Sequence, residues 1–163
     1  MAVRNIMLAT DFSDCSTAAL RIAEEYAKAF QAFVHVVHVF PLEISYPPFY
    51  FGDASPMYTL ARSEAQRATL RDKAKSEMQR WLGATRDHMP HELVVLEGVA
   101  GEELSQYAKR AQCDLIIAGT HGYGFFKRAL LGSVAEFLML HAPCPVLTVK
   151  PQALEAKLQA KGV

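Results

Sequence analysis

The chain has 163 residues, 17 basic and 17 acidic side chains, six His, three Cys and 51% hydrophobic residues. That length suits one domain that buries ~68–70% of its unfolded surface, enough for a core without metal or disulfide staples. A formal net charge of zero argues against a nucleic-acid binder or a polybasic membrane anchor, both of which need surplus Lys and Arg. The longest run without a charged residue, Ala29 to Leu42, has 14 residues, short of the roughly 18–20 that span a bilayer. No charged segment followed by an apolar run opens the chain, so secretion is not expected. Cys15, Cys113 and Cys144 are scattered, without a CxxC pair; reduced thiols in a cytoplasmic protein are the expectation.

In chain order, Val3–Ala9 is short and apolar and ends in the polar cluster Thr10-Asp11-Phe12-Ser13-Asp14. Ala19, Ile22, Ala23, Tyr26, Ala27 and Phe30 then recur at helical spacing, predicting one buried stripe. Ser13 or Asp14 can cap that helix. Phe33–Phe40 (FVHVVHVF) is β-branched or aromatic throughout and reads as a strand buried on both faces. Residues 41–58 hold four prolines and five aromatics with no helical period, the mark of a long loop over a site or partner surface. A polar helix is predicted over about 60–86, with Leu70, Ala74, Met78, Trp81 and Leu82 inward. His91–Glu97 gives a third strand, and Leu104, Tyr107, Ala108 and Ala111 a third helix. Asp114–Ala118 is a short apolar strand. A glycine-bearing loop from Gly119 to Gly132 leads to a helix with Val134, Phe137, Leu138 and His141 on one stripe. A fifth strand lies within 145–149, and 151–163 reads as a mildly amphipathic tail, a helix that frays.

Strands alternating with helices predict a parallel sheet with helices on both faces and right-handed crossovers. We expect a single α/β domain over 1–150, a Rossmann-like three-layer sandwich with five strands in the order 3-2-1-4-5. Ligands of such sheets bind beyond the carboxyl ends of the strands, where the winding reverses. That edge carries Thr10-Asp11 and the glycine loop.

The loop is no Walker A motif, since no GxxxxGK[ST] can be laid on it, and no dinucleotide fingerprint, since Lys127 stands where the third glycine belongs. What remains is Gly119-x2-Gly122-x9-Gly132-Ser133 opening a helix. Gly132 and Ser133 are expected to offer free N–H groups and a hydroxyl at a helix N-terminus, an arrangement that suits a phosphate-sized anion.

This spacing resembles the nucleotide-binding signature of the universal stress protein family, in its ATP-binding branch. The resemblance extends over about residues 3–150 and includes ATDFS after the first strand, His38-Val39 near the end of the second, and HAPCPVLTV at 141–149. It implies that Asp11 sits beside ribose and adenine, with Ala9 and Thr10 next to it, and that Val39 meets the base through its backbone. Gly119, Thr120, His121 and Gly122 would border the ribose and the α/β-phosphates. Gly132, Ser133 and the N–H of Val134 would hold the β/γ-phosphates, with Mg²⁺ bridging phosphate oxygens and no protein side chain assigned to the metal. Ala9 and Ala100 stand where many relatives have proline.

The implied function is an adenine-nucleotide-binding stress-response protein, for ATP or else ADP or AMP, acting as sensor or regulator with slow or no hydrolysis. The rivals are a weak ATPase or nucleotidyl-transferring enzyme, and a structural homodimer of the branch that binds no nucleotide. No residue is assigned as catalytic, and nothing pairs Cys15 with a base. His38 is expected to be a satisfied core histidine, and His35 carries no role. His121 either touches a phosphate or faces solvent, and Lys127 and Arg128 either draw the γ-phosphate or are simply solvated. The last strand is expected at a sheet edge, pairing with its counterpart in a second subunit.

Overall fold

Helical sequence separates each strand from the next, long enough for the crossovers that parallel pairs require. The computed structural model describes residues 2–41, 63–83, 87–121 and 131–151. Its strands are β1 (Asn5–Ala9), β2 (Phe33–Phe40), β3 (His91–Glu97), β4 (Leu115–Gly119) and β5 (Val146–Val149). All pairings are parallel, in the order β3-β2-β1-β4-β5. The winding reverses at β1, between β2 and β4, as the sequence predicts.

Alternation along the strands makes two cores. Ile6, Leu8, Val34, Val36 and Ile117 face helices α1 (Asp14–Phe30) and α2 (Glu64–Leu82). Met7, Ala9, Val37, Ile116 and Ala118 face α3 (Ala100–Arg110) and α4 (Ser133–His141). The middle of β2 is buried on both faces, but its ends are not; Phe33 is exposed.

Helix α1 opens at Ser13, whose side chain accepts from the N–H of Ser16, and closes at Gln31 in the left-handed region. Its buried side is Cys15, Ser16, Ala19, Leu20, Ala23 and Ala27. The predicted stripe is rotated in consequence: Ile22 and Tyr26 are half-buried and Phe30 is 49% exposed. The small alanines are what lie nearest the sheet.

Helix α2 begins at Glu64, later than predicted, because Ser63 and Gln66 form a reciprocal capping box. It ends at Leu82, before the positive-φ Gly83. Only Met78 and Leu82 are fully buried along it. Strand β4 starts one residue later than predicted, since the Asp114 side chain turns to the N–H groups of Arg4 and Asn5. On α4 the buried residues are Ala135 and Leu138, while His141 is exposed. The α3–α4 contact depends on Gly101, where a Cβ would stand 2.7 Å from the Phe137 ring. The loop within 41–58 and the tail lie almost wholly outside the described residues. Among the described residues no helix is long and apolar enough to cross a membrane.

Candidate functional site

Beyond the carboxyl ends of β1, β2 and β4 lies a cavity of about 560 Å³, within the ~300–1,000 Å³ usual for small-molecule sites. Three stretches of chain build it. The first is the turn after β1. Thr10 continues the ladder, its N–H donating to Val37 at 2.9 Å, and its carbonyl accepts from His38 Nδ1 at 2.9 Å. Asp11 Oδ1 accepts from the Ser13 N–H at 3.1 Å and the Ser13 hydroxyl at 2.6 Å, and also from the Ser16 hydroxyl. The Asp11 N–H donates to Ser16 Oγ at 3.2 Å. Asp11 therefore both lines the cavity and organises the start of α1.

The second stretch leaves β4. Thr120, only 2% exposed, extends the sheet through its N–H to Val149 at 2.9 Å. A Cβ on Gly119 would stand 2.6 Å from Cys15 Cβ and 2.9 Å from the Cys15 carbonyl carbon. Gly119 lines the cavity, but its missing side chain makes room for α1. Cys15 is thus buried packing. His121 lines the cavity too, its Nδ1 3.2 Å from Thr120 Oγ1.

The third stretch is the start of α4. The expectation of a free N–H on Gly132 is corrected: it donates to the Thr120 carbonyl at 2.7 Å. A Cβ on Gly132 would meet that same oxygen at 3.0 Å, so the glycine lets two chain segments close on each other. Gly132 is the N-cap and supplies no side-chain cap. Among the described residues no side chain caps the first helical N–H groups, on Ser133, Val134 and Ala135, and all three residues line the cavity. A helix N-terminus of this kind is an electropositive point that attracts anions.

Of the residues singled out from the sequence, Ala9, Thr10, Asp11 and Val39 gather on this cavity with Gly119, Thr120, His121, Gly132, Ser133 and Val134. Gly122, Lys127 and Arg128 lie outside the described residues. Sequence reasoning missed Ser16, Val37, Ala100, Leu104, Ala118, Leu131 and Ala135 in the wall. Ser16 alone carried a signal, a hydroxyl one turn into the helix that Asp11 precedes. His38 is a satisfied histidine, as expected, but its partner is a turn carbonyl. Among the described residues, no three His, Cys, Asp or Glu side chains are placed to hold a metal. Burial pushes the Cys113 thiol up to about 12, with Cys144 adding to the effect, and burial also raises Cys144. Neither is a poised nucleophile.

A family profile described as "Universal stress protein family" matches residues 2–150. A universal stress protein of Methanocaldococcus jannaschii is 34% identical over 151 residues, which span 90% of this chain and 82% of that protein. The structure of a universal stress protein from Archaeoglobus fulgidus in complex with dAMP shares the fold at a TM-score of 0.62 and 21% identity, covering 92% of this chain and all of that one. A family protein from Arabidopsis thaliana with AMP bound does so at 0.55 and 18%, covering 90% of this chain and 91% of that one.

Proposed function

The chain belongs to the universal stress protein family, and from that premise we propose that its carboxyl-end cavity binds an adenine nucleotide, ATP with Mg²⁺ foremost, so that the protein acts as a sensor or regulator. The observation that carries this reading is the uncapped N-terminus of α4 opening on the same cavity as the Thr10–Asp11 turn. Such helix ends favour phosphate. Adenine mononucleotides in two proteins of the same fold give further support.

Asp11 and the Val39 backbone take the nucleoside end, with Ala9 and Thr10 beneath it. Thr120 and His121 border the ribose and inner phosphates, beside Gly119 and Gly122. Ser133 and Val134 offer N–H groups to the outer phosphates, while Gly132 contributes close approach, its own N–H being committed to Thr120. Mg²⁺ would be held through phosphate oxygens. Hydrolysis is slow or incidental on this reading. Among the described residues the one carboxylate in the wall is Asp11, and its Oδ1 is engaged by the Ser13 N–H and by two serine hydroxyls at the start of α1, not aimed at a water as a general base would be.

Titration calorimetry with AMP, ADP and ATP, with and without Mg²⁺, tests the assignment. Micromolar binding that weakens on chelation for ATP but not for AMP is the expected result. No binding of any of the three at millimolar concentration overturns the reading.

The edge position of β5 among the described strands supports a reading of assembly. The carbonyls of Pro145 and Val149 accept from Ile116 and Thr120 in and beyond β4, so by alternation the backbone groups of Val146 and Thr148 point off the sheet. We assign this edge to a second copy of the chain. Sedimentation should give a dimer, and Thr148→Pro, which removes an outward N–H but no bond to β4, should give a monomer.

A further inference from the structure

Three side chains converge on the turn after β1 from the sheet face opposite the cavity. Phe12 holds φ at +66°, a left-handed backbone that a bulky residue adopts only where its surroundings enforce it. Its ring lies 4.7 Å from the His38 imidazole and meets the Trp81 indole edge-on at 6.0 Å. His38 Nδ1 donates to the Thr10 carbonyl. Trp81 Nε1 donates to Thr17 Oγ1 at 3.1 Å, and Thr17 Oγ1 in turn donates to the Ser13 carbonyl at 3.1 Å. Asp11 sits in the middle of this stretch. Both its neighbours, Thr10 and Phe12, are gripped from behind, and Ser13 beyond them is tied to α2 through Thr17.

The acceptor that satisfies His38 is the turn carbonyl itself, and Phe12 holds a left-handed backbone that a bulky side chain disfavours. Both features set the direction of the Thr10–Asp11 segment, which lines the cavity on the other side. We propose that His38 and Phe12 are positioning residues, a clamp that holds the Thr10–Asp11 turn in its cavity-facing form, with Trp81 of α2 as its backing. The clamp makes the nucleotide site responsive to α2, although α2 supplies no residue to the cavity wall among those described. In its binding consequence the inference rests on the adenine-nucleotide reading; in its local consequence it does not.

The test uses the full chain. Amide hydrogen exchange at residues 10–13 is measured without ligand, and AMP affinity by calorimetry. In His38→Ala, exchange of the Asp11 and Phe12 amides should rise about tenfold while Ile6–Leu8 stay unchanged, and AMP affinity should fall roughly three- to tenfold, the range for one lost hydrogen bond. His38→Asn, whose side-chain N–H can stand close to where Nδ1 does, should recover most of both. Phe12→Gly relaxes the backbone but removes the ring, so the clamp requires it to loosen the turn and shift the emission of Trp81, the only tryptophan in the chain. Should His38→Ala not fold, Phe12→Leu, which removes the ring against His38 and Trp81 but keeps an apolar side chain, should likewise raise exchange at 10–13. Unchanged exchange at 10–13 overturns the proposal, as does a tighter turn in Phe12→Gly. Unchanged AMP affinity in a variant whose parent binds AMP overturns it equally. A parent that binds no nucleotide sinks the functional reading alone, and the exchange arm still decides the clamp.

Discussion

At the carboxyl end of the sheet, β1 and β4 run out into turns whose backbone faces a cavity, and α4 begins there with no capping side chain. At the amino end, the same two strands start under a carboxylate: Asp114 accepts from the N–H groups of Arg4 and Asn5 at 2.8 and 3.0 Å. Close by, β2, β3 and α3 are joined by Glu92, which accepts from the Tyr107 hydroxyl at 2.8 Å and lies 2.6 Å from His35 Nδ1. Donors at the amino end are thus satisfied by side chains from distant parts of the chain. At the carboxyl end no side chain among the described residues caps the α4 donors. The expectation is a division of labour, with polar groups at the amino end serving stability and those at the carboxyl end serving binding.

The largest effect should come from the residue that crosses this division. Gly119 is at the carboxyl end, yet a Cβ there collides with Cys15 and its backbone. Gly119→Val should cost about 1–3 kcal/mol, the range for overpacking, and lower Tm in thermal melts. A variant as stable as the parent would return Gly119 to a purely ligand-facing role. Next comes the amino end. Tyr107→Phe removes the hydroxyl bond to Glu92 and should cost roughly 0.5–1.5 kcal/mol in urea titrations, with nucleotide affinity unchanged. A change in affinity would break the comparison.

A smaller effect is one of acidity. The backbone N–H groups of Arg4 and Asn5 hold the Asp114 carboxyl below the usual carboxylate range. Its folded state therefore binds the proton less readily, so the contribution is present above about pH 4 and is lost as pH falls through the depressed folded value. Acid-unfolding curves of Asp114→Asn should be flatter below about pH 4 and near-parallel to the parent at neutral pH. The smallest effect on stability belongs to Ser133→Ala. Ser133 is exposed and caps nothing, so its melt should match the parent within about 0.5 kcal/mol, whatever happens to binding.

Strand β2 was legible to the residue because FVHVVHVF is β-branched or aromatic over the whole element, and β3 because its apolar run LVVL is bounded by His91, Glu92 and Glu97. The stripe of α1 was read less well. A search for large apolar residues gives weight to Phe30, whereas the sheet selects the alanines that let the helix approach. The location of the cavity followed from the fold rule for parallel sheets. Its detailed wall did not, because Ala100 and Leu104 enter it from a helix whose distance only tertiary packing sets. His35 could not be given a purpose from sequence, since Glu92 and Tyr107 lie 57 and 72 residues away. Nor could spacing tell which way the Gly132 N–H points. A glycine before a helix looks the same whether its donor is free or bonded.

The bond from Gly132 to the Thr120 carbonyl at 2.7 Å also ties the first turn of α4 to the sheet edge, because Thr120 in turn donates to Val149 of β5 at 2.9 Å. Ser133 at the cavity and the last residue of β5 are thus two ends of one short lever. A displacement of β5 would be passed through Thr120 to the helix end, and a displacement of the helix end back to β5.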